Sequence, residues 1–248
     1  MALMAARGMI TPMPDAAIFA DTRDEPAAVY EHLRWLMSGV LPFPVYVTSE
    51  RGRLSEAVFA GYKDARPPLF IKTKKGRGML GRQCTRNFKL RPIRRKAREI
   101  LGVGSRSYVA PGAISMWIGI SVDEIIRARP SGIRFLANRH PLLELGKTRD
   151  GCLEWLAAEG YPRPPKSSCV YCPYKSDLQW ATMKRDEPAE FAYAVAFDAG
   201  VRSRAMVELY GKAGYVHPSL VPLGEVDFGT GRDEKNEFIN DCEGMCGV

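Results

Sequence analysis

Two cysteines separated by two residues, Cys169 and Cys172, lie in the stretch Ser167-Ser168-Cys169-Val170-Tyr171-Cys172-Pro173. A Cys-x-x-Cys turn closes tightly enough for both sulfurs to reach one centre, and soft thiolates favour zinc or an iron–sulfur cluster. A third cysteine, Cys84, stands far upstream in Gln83-Cys84-Thr85-Arg86-Asn87-Phe88-Lys89-Leu90-Arg91-Pro92-Ile93. A thiolate arriving from there would tie two distant parts of the fold together. The spacing therefore predicts metal binding or redox chemistry at Cys84, Cys169 and Cys172, set against the plain reading of three buried structural thiols. Cys169, Cys172, Cys242 and Cys246 would make a rival zinc site with four thiolates. A thioredoxin-like redox pair fits less well, because no clear strand precedes the turn.

Cys84 sits in the most cationic part of the chain. From Lys72 to Arg98 there are twelve Lys or Arg residues and no acid, within a formal net charge of +8. Such a run attracts phosphate, which makes Arg82, Arg86, Lys89, Arg91, Arg94 and Arg95 candidate anion- or nucleic-acid-binding residues. The competing reading is a solvated charged surface. From Leu90 onward, Ile93, Ala97, Ile100 and Leu101 recur at helical spacing, and Pro92 suits a first helical turn. Cys84 thus falls just ahead of a basic helix, where cations and a helix N-terminus favour thiolate.

The elements that would carry these residues alternate between strand and helix. Met1–Ala6 reads as the end of a helix stopped at Gly8. Ala16–Ala20 reads as a strand running into Asp21-Thr22, and a helix is expected to start near Asp24 or Glu25. That places Asp21 at the carboxyl end of a strand, where open α/β sheets bind ligands. Val45–Thr48 is a second strand and Leu54 opens a helix. Lys72–Arg82, with three glycines among basic residues, reads as a mobile loop. Ser115–Ser121 and Arg134–Asn138 read as strands, and Asp123-Glu124 leads a short helix carrying Arg127. Thr148–Glu159 is a helix capped by Thr148 and stopped by Gly160, with Cys152 on its apolar face. Helices over 177–186 and 188–200 follow, then a Gly- and Pro-punctuated tail bearing Cys242 and Cys246.

With 248 residues and 46% hydrophobic content, the chain can bury a substantial core. The alternation predicts an α/β fold, an open mostly parallel sheet with helices on both faces, followed by a helical C-terminal part. The expected division is 1–165 for the α/β unit and 166–248 for the Cys-x-x-Cys turn, helices and tail. No apolar run reaches the roughly 18 residues of a membrane span. The first residues lack the features of a signal peptide, and six unevenly spaced cysteines suit a reducing compartment, so the expected location is the cytoplasm. His32, His140 and His217 have no ligand or triad spacing and read as structural.

Taken together, these residues resemble the sulfonucleotide reductases and their relatives among the PP-loop ATP pyrophosphatases, the adenine nucleotide alpha-hydrolase-like superfamily. Phe19-Ala20-Asp21-Thr22 with Glu25-Pro26 looks like that family's second strand, with Arg23 where a glycine is usual. Cys84, Arg86, Lys89 and Arg91-Pro92-Ile93 look like its Cys-Cys-x-x-Arg-Lys-x-x-Pro-Leu stretch, with Gln83 in place of the first cysteine. Cys169 and Cys172 look like its second cysteine pair. Trp117–Ile120 with Arg127 resembles the strand and arginine that flank the nucleotide, and Asn138–Leu143 its Tyr/His-Pro-Leu segment. The likeness covers roughly residues 1–180. The family's first strand and Ser-Gly-Gly-type loop have no counterpart here, and only three of four cluster cysteines are present.

The resemblance implies a sulfonucleotide reductase-like or thiotransferase-like enzyme using an adenine nucleotide and a [4Fe–4S] cluster on Cys84, Cys169 and Cys172. It implies nucleotide contacts from Phe19, Asp21, Thr22, Gly119 and Arg127. In the reductase version, Cys246 or Cys242 is a catalytic thiolate on a mobile tail, attacking a sulfonucleotide and then reduced by a thioredoxin-type partner. In the thiotransferase version, the basic stretch 72–98 holds nucleic acid. The alternative from a different class is a non-catalytic zinc-containing nucleic-acid-binding module on a degenerate fold.

Overall fold

A computed structural model of the chain describes residues 1–50 and 52–229. It opens on a short helix, α1 (Ala2–Ala6), closed where Gly8 takes a φ of +75° and its N–H reaches back to the Ala5 carbonyl. The expected first strand forms as β1 (Ala17–Ala20), and β2 (Val45–Thr48) pairs with it in parallel, Ala17 opposite Val45 and Ala20 opposite Thr48. Between them runs α2 (Ala27–Trp35), with Val29 and Leu33 buried. This helix begins later than Asp24 or Glu25. Arg23 sits at a φ of +61°, and the Asp24 carbonyl accepts a hydrogen bond from the Val170 N–H at 2.7 Å, so both residues serve tertiary contacts.

After α3 (Leu54–Phe59), the stretch expected to be a mobile loop is a β-hairpin. Strand β3 (Phe70–Thr73) pairs antiparallel with β4 (Gly76–Met79), and Gly76 at a φ of +110° lets the chain reverse. The glycines that read as loop are turn and close-packing positions. A Cβ on Gly78 would stand 2.7 Å from the Thr73 methyl across the ladder. A wide helical turn (Thr85–Leu90) leads into α4 (Arg91–Ile100), with Pro92 in its first turn. The second parallel pair is β5 (Ile114–Trp117) with β6 (Leu136–Arg139). Strand β5 is shorter than expected because the backbone turns at Gly119, where Ile120 N–H donates to the Ile118 carbonyl.

Short α5 (Pro141–Glu144) precedes α6 (Arg149–Ala158), whose Thr148 cap accepts from Gly151 N–H at 3.0 Å, as its sequence implies. Helices α7 (Asp177–Asp186) and α8 (Pro188–Gly200) match the expected spans. Helix α9 (Arg204–Tyr210) and the short strand β7 (Gly214–Tyr215), paired to β3, complete the described chain. The protein is a mixed α/β fold. Its parallel ladders among the described residues are the two-stranded pairs β1–β2 and β5–β6.

Two apolar clusters hold it together. The larger joins Leu54, Val58, Leu69 and Phe88 to Cys169, Tyr171, Trp180, Phe197 and Val216, and so crosses the expected boundary at residue 165. Tyr171 stacks on Phe197 with ring centroids 3.5 Å apart and planes 10° apart. The smaller packs α1, Leu41, Phe43 and Leu142 with Trp155, Leu156 and Cys152. The wholly buried Asp198 of α8 accepts hydrogen bonds from Val216 N–H and Leu223 N–H, both at 2.9 Å, and pins the C-terminal segment. No helix among the described residues is long and apolar enough to cross a membrane.

Candidate functional site

The carboxyl end of β1 is the organising point. Asp21 N–H continues the ladder to the Thr48 carbonyl at 2.8 Å, which turns its side chain to local use. Asp21 Oδ1 accepts from Arg23 N–H at 2.7 Å and from the Tyr30 hydroxyl at 2.8 Å. Burial, then this bond to Asp21, drive the Tyr30 pKa well up. Thr22 is buried and its hydroxyl lies 3.2 Å from Cys169 Sγ. Next come two buried acids. Asp24 accepts from Ser55 N–H (2.8 Å), Ser55 Oγ (3.1 Å), Tyr171 OH (2.8 Å) and Tyr193 OH (2.8 Å). Glu25 accepts from Ser167 Oγ at 3.1 Å and meets Lys89 Nζ at 3.4 Å. The Cys-x-x-Cys loop is thereby seated directly on the β1–α2 turn.

Within that loop, Cys172 N–H donates to the Cys169 carbonyl at 2.9 Å, the tight turn expected from the spacing. Cys169 is buried. Desolvation, followed by the nearby Glu25 carboxylate, pushes its thiol well above the ordinary value, while Lys89 and the Thr22 hydroxyl act the other way. Cys84 caps the Thr85–Leu90 turn, and its N–H reaches the Arg66 carbonyl at 3.2 Å. Cys84 and Cys172 both pack against the larger core cluster, of which Cys169 is a member. The neighbouring segments also meet: Thr85, Lys89 and Ser167 line one cavity of 170 Å³ with Phe19. Arg82 lies over the Tyr174 ring at 5.6 Å. Among the described residues, no three His, Cys, Asp or Glu side chains form a group that could hold a metal ion. The four described cysteines are thiols, with no disulfide among them.

A larger cavity of 1090 Å³ opens beside this loop. Gly119, just past β5, and Arg127, from the helical turn that follows, line it, as do Cys172 and the cationic Arg149, Arg163 and Lys166. Arg127 is ion-paired with Glu124, so its charge is partly spent within its own turn. Asp21 and Thr22 are not among the residues lining this cavity, and Phe19 faces the small one instead. A third cavity of 740 Å³ separates β1 from β5.

The basic stretch is less available than its sequence suggests. Arg91 meets Glu50 at 3.1 Å and Asp64 at 3.8 Å, and Arg95 meets Glu50 at 3.7 Å. Lys89 faces inward to Glu25. Arg94 is half-buried, and desolvation, then the neighbouring Arg86, lower its pKa. Arg86 is exposed. Acids distant in sequence supply the counter-charges that the run itself lacks.

His217 bridges Asp177 (3.0 Å) and Ser219 (2.8 Å), a structural tie consistent with its isolation in sequence. Cys242 and Cys246 lie outside the described residues. Sequence reasoning missed Asp24, Glu25, Ser167, Arg149, Arg163 and Lys166 as parts of the site. For Asp24 and Glu25 the signal was present, since two adjacent acids closely follow the Asp-Thr strand end, but they read as a helix start. No family model, no curated protein and no solved structure matches the chain.

Proposed function

We propose that this chain is a sulfur-handling enzyme of the PP-loop type, reductase-like or thiotransferase-like, that binds an adenine nucleotide and carries an iron–sulfur cluster on Cys84, Cys169 and Cys172. In this reading β1–β2 and β5–β6 are two halves of one open, mostly parallel sheet, flanking the cavity between β1 and β5. The observation that carries it is the seating of the cysteine loop on the β1 terminus, through Thr22–Cys169 (3.2 Å) and Ser167–Glu25 (3.1 Å). That seating sets a soft-ligand pair against the strand end where α/β sheets bind ligands.

Among the described residues the three thiols do not stand as a ready-made metal-holding group, so the reading rests on the seat of the cysteine loop and on the resemblance. Three thiols belong to or touch one cluster of side chains, and Lys89 offsets the carboxylate that opposes ionisation of Cys169. When bound, a cluster with three cysteine ligands supplies an iron with an open position for sulfur. The chain's own residues do the rest. Arg149, Arg163 and Lys166 draw the anionic part of a nucleotide into the large cavity, and Gly119 admits it close to the β5 backbone. Glu25, paired with Lys89, accepts from both the Ser167 and Thr22 hydroxyls, and Thr22 in turn lies against Cys169 Sγ. In the reductase form, the tail cysteines Cys242 and Cys246 provide the nucleophile and a thioredoxin-type protein reduces it. In the thiotransferase form, nucleic acid lies along the basic segment. Thiols at the four described cysteines suit the reducing, cytoplasmic setting that the reading requires.

Anaerobic purification with iron, sulfide and zinc analysis tests this. The expected result is a coloured protein containing iron and acid-labile sulfide, bleached in Cys84→Ala and Cys169→Ala. Calorimetric titration should show binding of ATP or a sulfonucleotide, weakened about tenfold or more in Lys166→Ala, the effect of removing one charge-assisted hydrogen bond. A colourless protein with one tightly held zinc and no nucleotide affinity would overturn the reading in favour of the non-catalytic zinc module.

A further inference from the structure

Each of the two parallel ladders keeps one strand edge that meets no further strand among the described residues, since β1 pairs only with β2 and β5 only with β6. Successive residues of a parallel strand turn their N–H and C=O groups to opposite sides. Ala17 and Asp21 donate to the Pro44 and Thr48 carbonyls, so Ile18 and Ala20 present theirs on the other edge of β1. Ile114 and Ile118 donate to the Phe135 and Arg139 carbonyls, which leaves Ser115 and Trp117 to the other edge of β5. The 740 Å³ cavity is lined by both strands, through residues 16–18 and 113–119, while β2 contributes nothing to it. Both strands end at the cysteine loop. The Asp24 carbonyl accepts from Val170 N–H, and residues 118–120 line the large cavity together with Ser167 and Ser168. The strands β1 and β5 therefore run in the same sense.

The walls of this cavity are apolar and only half covered. Strand β1 reads Ala-Ile-Phe-Ala, a run suited to burial on both faces, yet none of its four residues is buried. On α4, Ile93, Ala97, Ile100 and Leu101 line the cavity, with Ile100 40% and Leu101 42% exposed. Arg94 lines it as well. That guanidinium is half-buried beside Arg86, of the same sign, and among the described residues no carboxylate pairs with it. Asp15 also lines the cavity but is exposed and makes no ion pair with Arg94. Two strand edges bordering one apolar cavity match an extended polypeptide, because a backbone offers alternating N–H and C=O groups to both sides. Residues 230–248 contain no run of more than two apolar residues, which is not the composition of a strand covered on both faces.

We propose that the cavity between β1 and β5 is a docking groove for a partner protein, which inserts one extended segment there as a parallel strand. The segment matches the four-residue length of β1 and of β5 and is apolar on both faces. It carries one acidic side chain toward α4, where Arg94 receives it. Its backbone bonds to Ile18 and Ala20 on one side and to Ser115 and Trp117 on the other, which joins the two ladders into one sheet. Main-chain bonds give the affinity, and the apolar walls with Arg94 give the selectivity. No metal or nucleotide enters this proposal. It shares with the reading above only the placing of both ladders in one sheet.

Short random peptides displayed on phage are selected on the purified 248-residue protein, and the enriched sequences are synthesised. They should share an apolar run with an acid beside it. On binding, the amides of Ile18, Ala20, Ser115 and Trp117 should slow in hydrogen exchange read by NMR, while those of Ala17 and Asp21, already bonded, change little. Affinity should fall about tenfold or more in Arg94→Glu, the effect of losing one charge-assisted hydrogen bond. It should be lost in Ile18→Pro, which removes an N–H that serves no ladder and so leaves β1–β2 pairing in place. A peptide N-methylated at two adjacent residues should fail to bind the unaltered protein, a control that needs no variant to fold. Absence of any enriched peptide, equal affinity for the methylated one, or binding that leaves those four amides unchanged overturns the proposal. Protection of the same amides without peptide, together with a dimer in sedimentation, overturns it in favour of a second copy of this chain.

Discussion

Thr22 Oγ1 and Cys169 Sγ lie 3.2 Å apart although 147 positions separate them in the chain. Both are buried, so neither can turn to water for a partner. Thr22→Val keeps the shape and removes the hydroxyl, leaving the sulfur and the Glu25 carboxylate each short of a partner. The expected cost is about 1 kcal/mol in urea unfolding, the net worth of one hydrogen bond. Any bound metal should also be released more readily. A variant as stable as wild type, with unchanged metal content, would show that the pairing is incidental.

Asp24 should matter more. Its carboxylate collects Ser55, Tyr171 and Tyr193, with Arg53 at 3.7 Å, and so joins α3, the cysteine loop and α8. Asp24→Ala orphans several buried donors at once and is expected to destabilise by about 3–5 kcal/mol. Tyr193→Phe removes one bond from a half-buried hydroxyl and should cost about 1 kcal/mol. Because both act on one network, the double variant should lose less than the sum of the two. Strict additivity in chemical denaturation would mean the network is not cooperative.

Why the sequence announced the cysteine turn but hid its seat follows from range. The Cys-x-x-Cys turn, the Thr148 cap and the spans of α7 and α8 are set by residues a few positions apart, and all formed as their patterns implied. The seat under the turn joins Asp24 and Glu25 to a loop near Ser167, more than a hundred positions away, and no periodicity records such a meeting. The 72–82 segment failed for a different reason. Its glycines and lysines carry the composition of a loop, but Phe70 and Ile71 start a strand that β7 also pairs, and tertiary pairing overrode local preference. Arg23 shows the same competition at one residue. It holds a φ of +61°, a conformation that suits glycine.

Glu187 gives a pH dependence with a definite sign. Burial, then repulsion from Glu190, raise its pKa above the ordinary carboxylate value. The folded state therefore holds this proton more firmly than the unfolded chain does. Its contribution to stability is fully present below the unfolded pKa and is lost as pH rises through the folded one. Glu187→Gln mimics the protonated form at every pH. It should match wild type in acid and exceed it at neutral pH, measured as denaturation midpoints across that range. A variant less stable at neutral pH would mean that attraction between Glu187 and Lys175 outweighs the repulsion.

Within the basic segment 72–98 the cationic side chains are unequally available to a polyanion. Arg91 and Arg95 share Glu50, so much of their charge is neutralised before any ligand arrives. Arg86 is exposed and bears on Arg94 by like-charge repulsion. If nucleic acid runs along this face, removing one phosphate-binding side chain should flatten the dependence of log affinity on log salt by roughly one unit. Arg86→Ala should therefore flatten the slope and weaken single-stranded oligonucleotide binding regardless of sequence. Glu50→Gln should do the reverse, since it releases two guanidinium groups to the ligand. Arg91→Ala alone should change little, because it removes a charge already paired. Fluorescence anisotropy over a salt series reads all three, and equal slopes throughout would place any polyanion elsewhere on the protein.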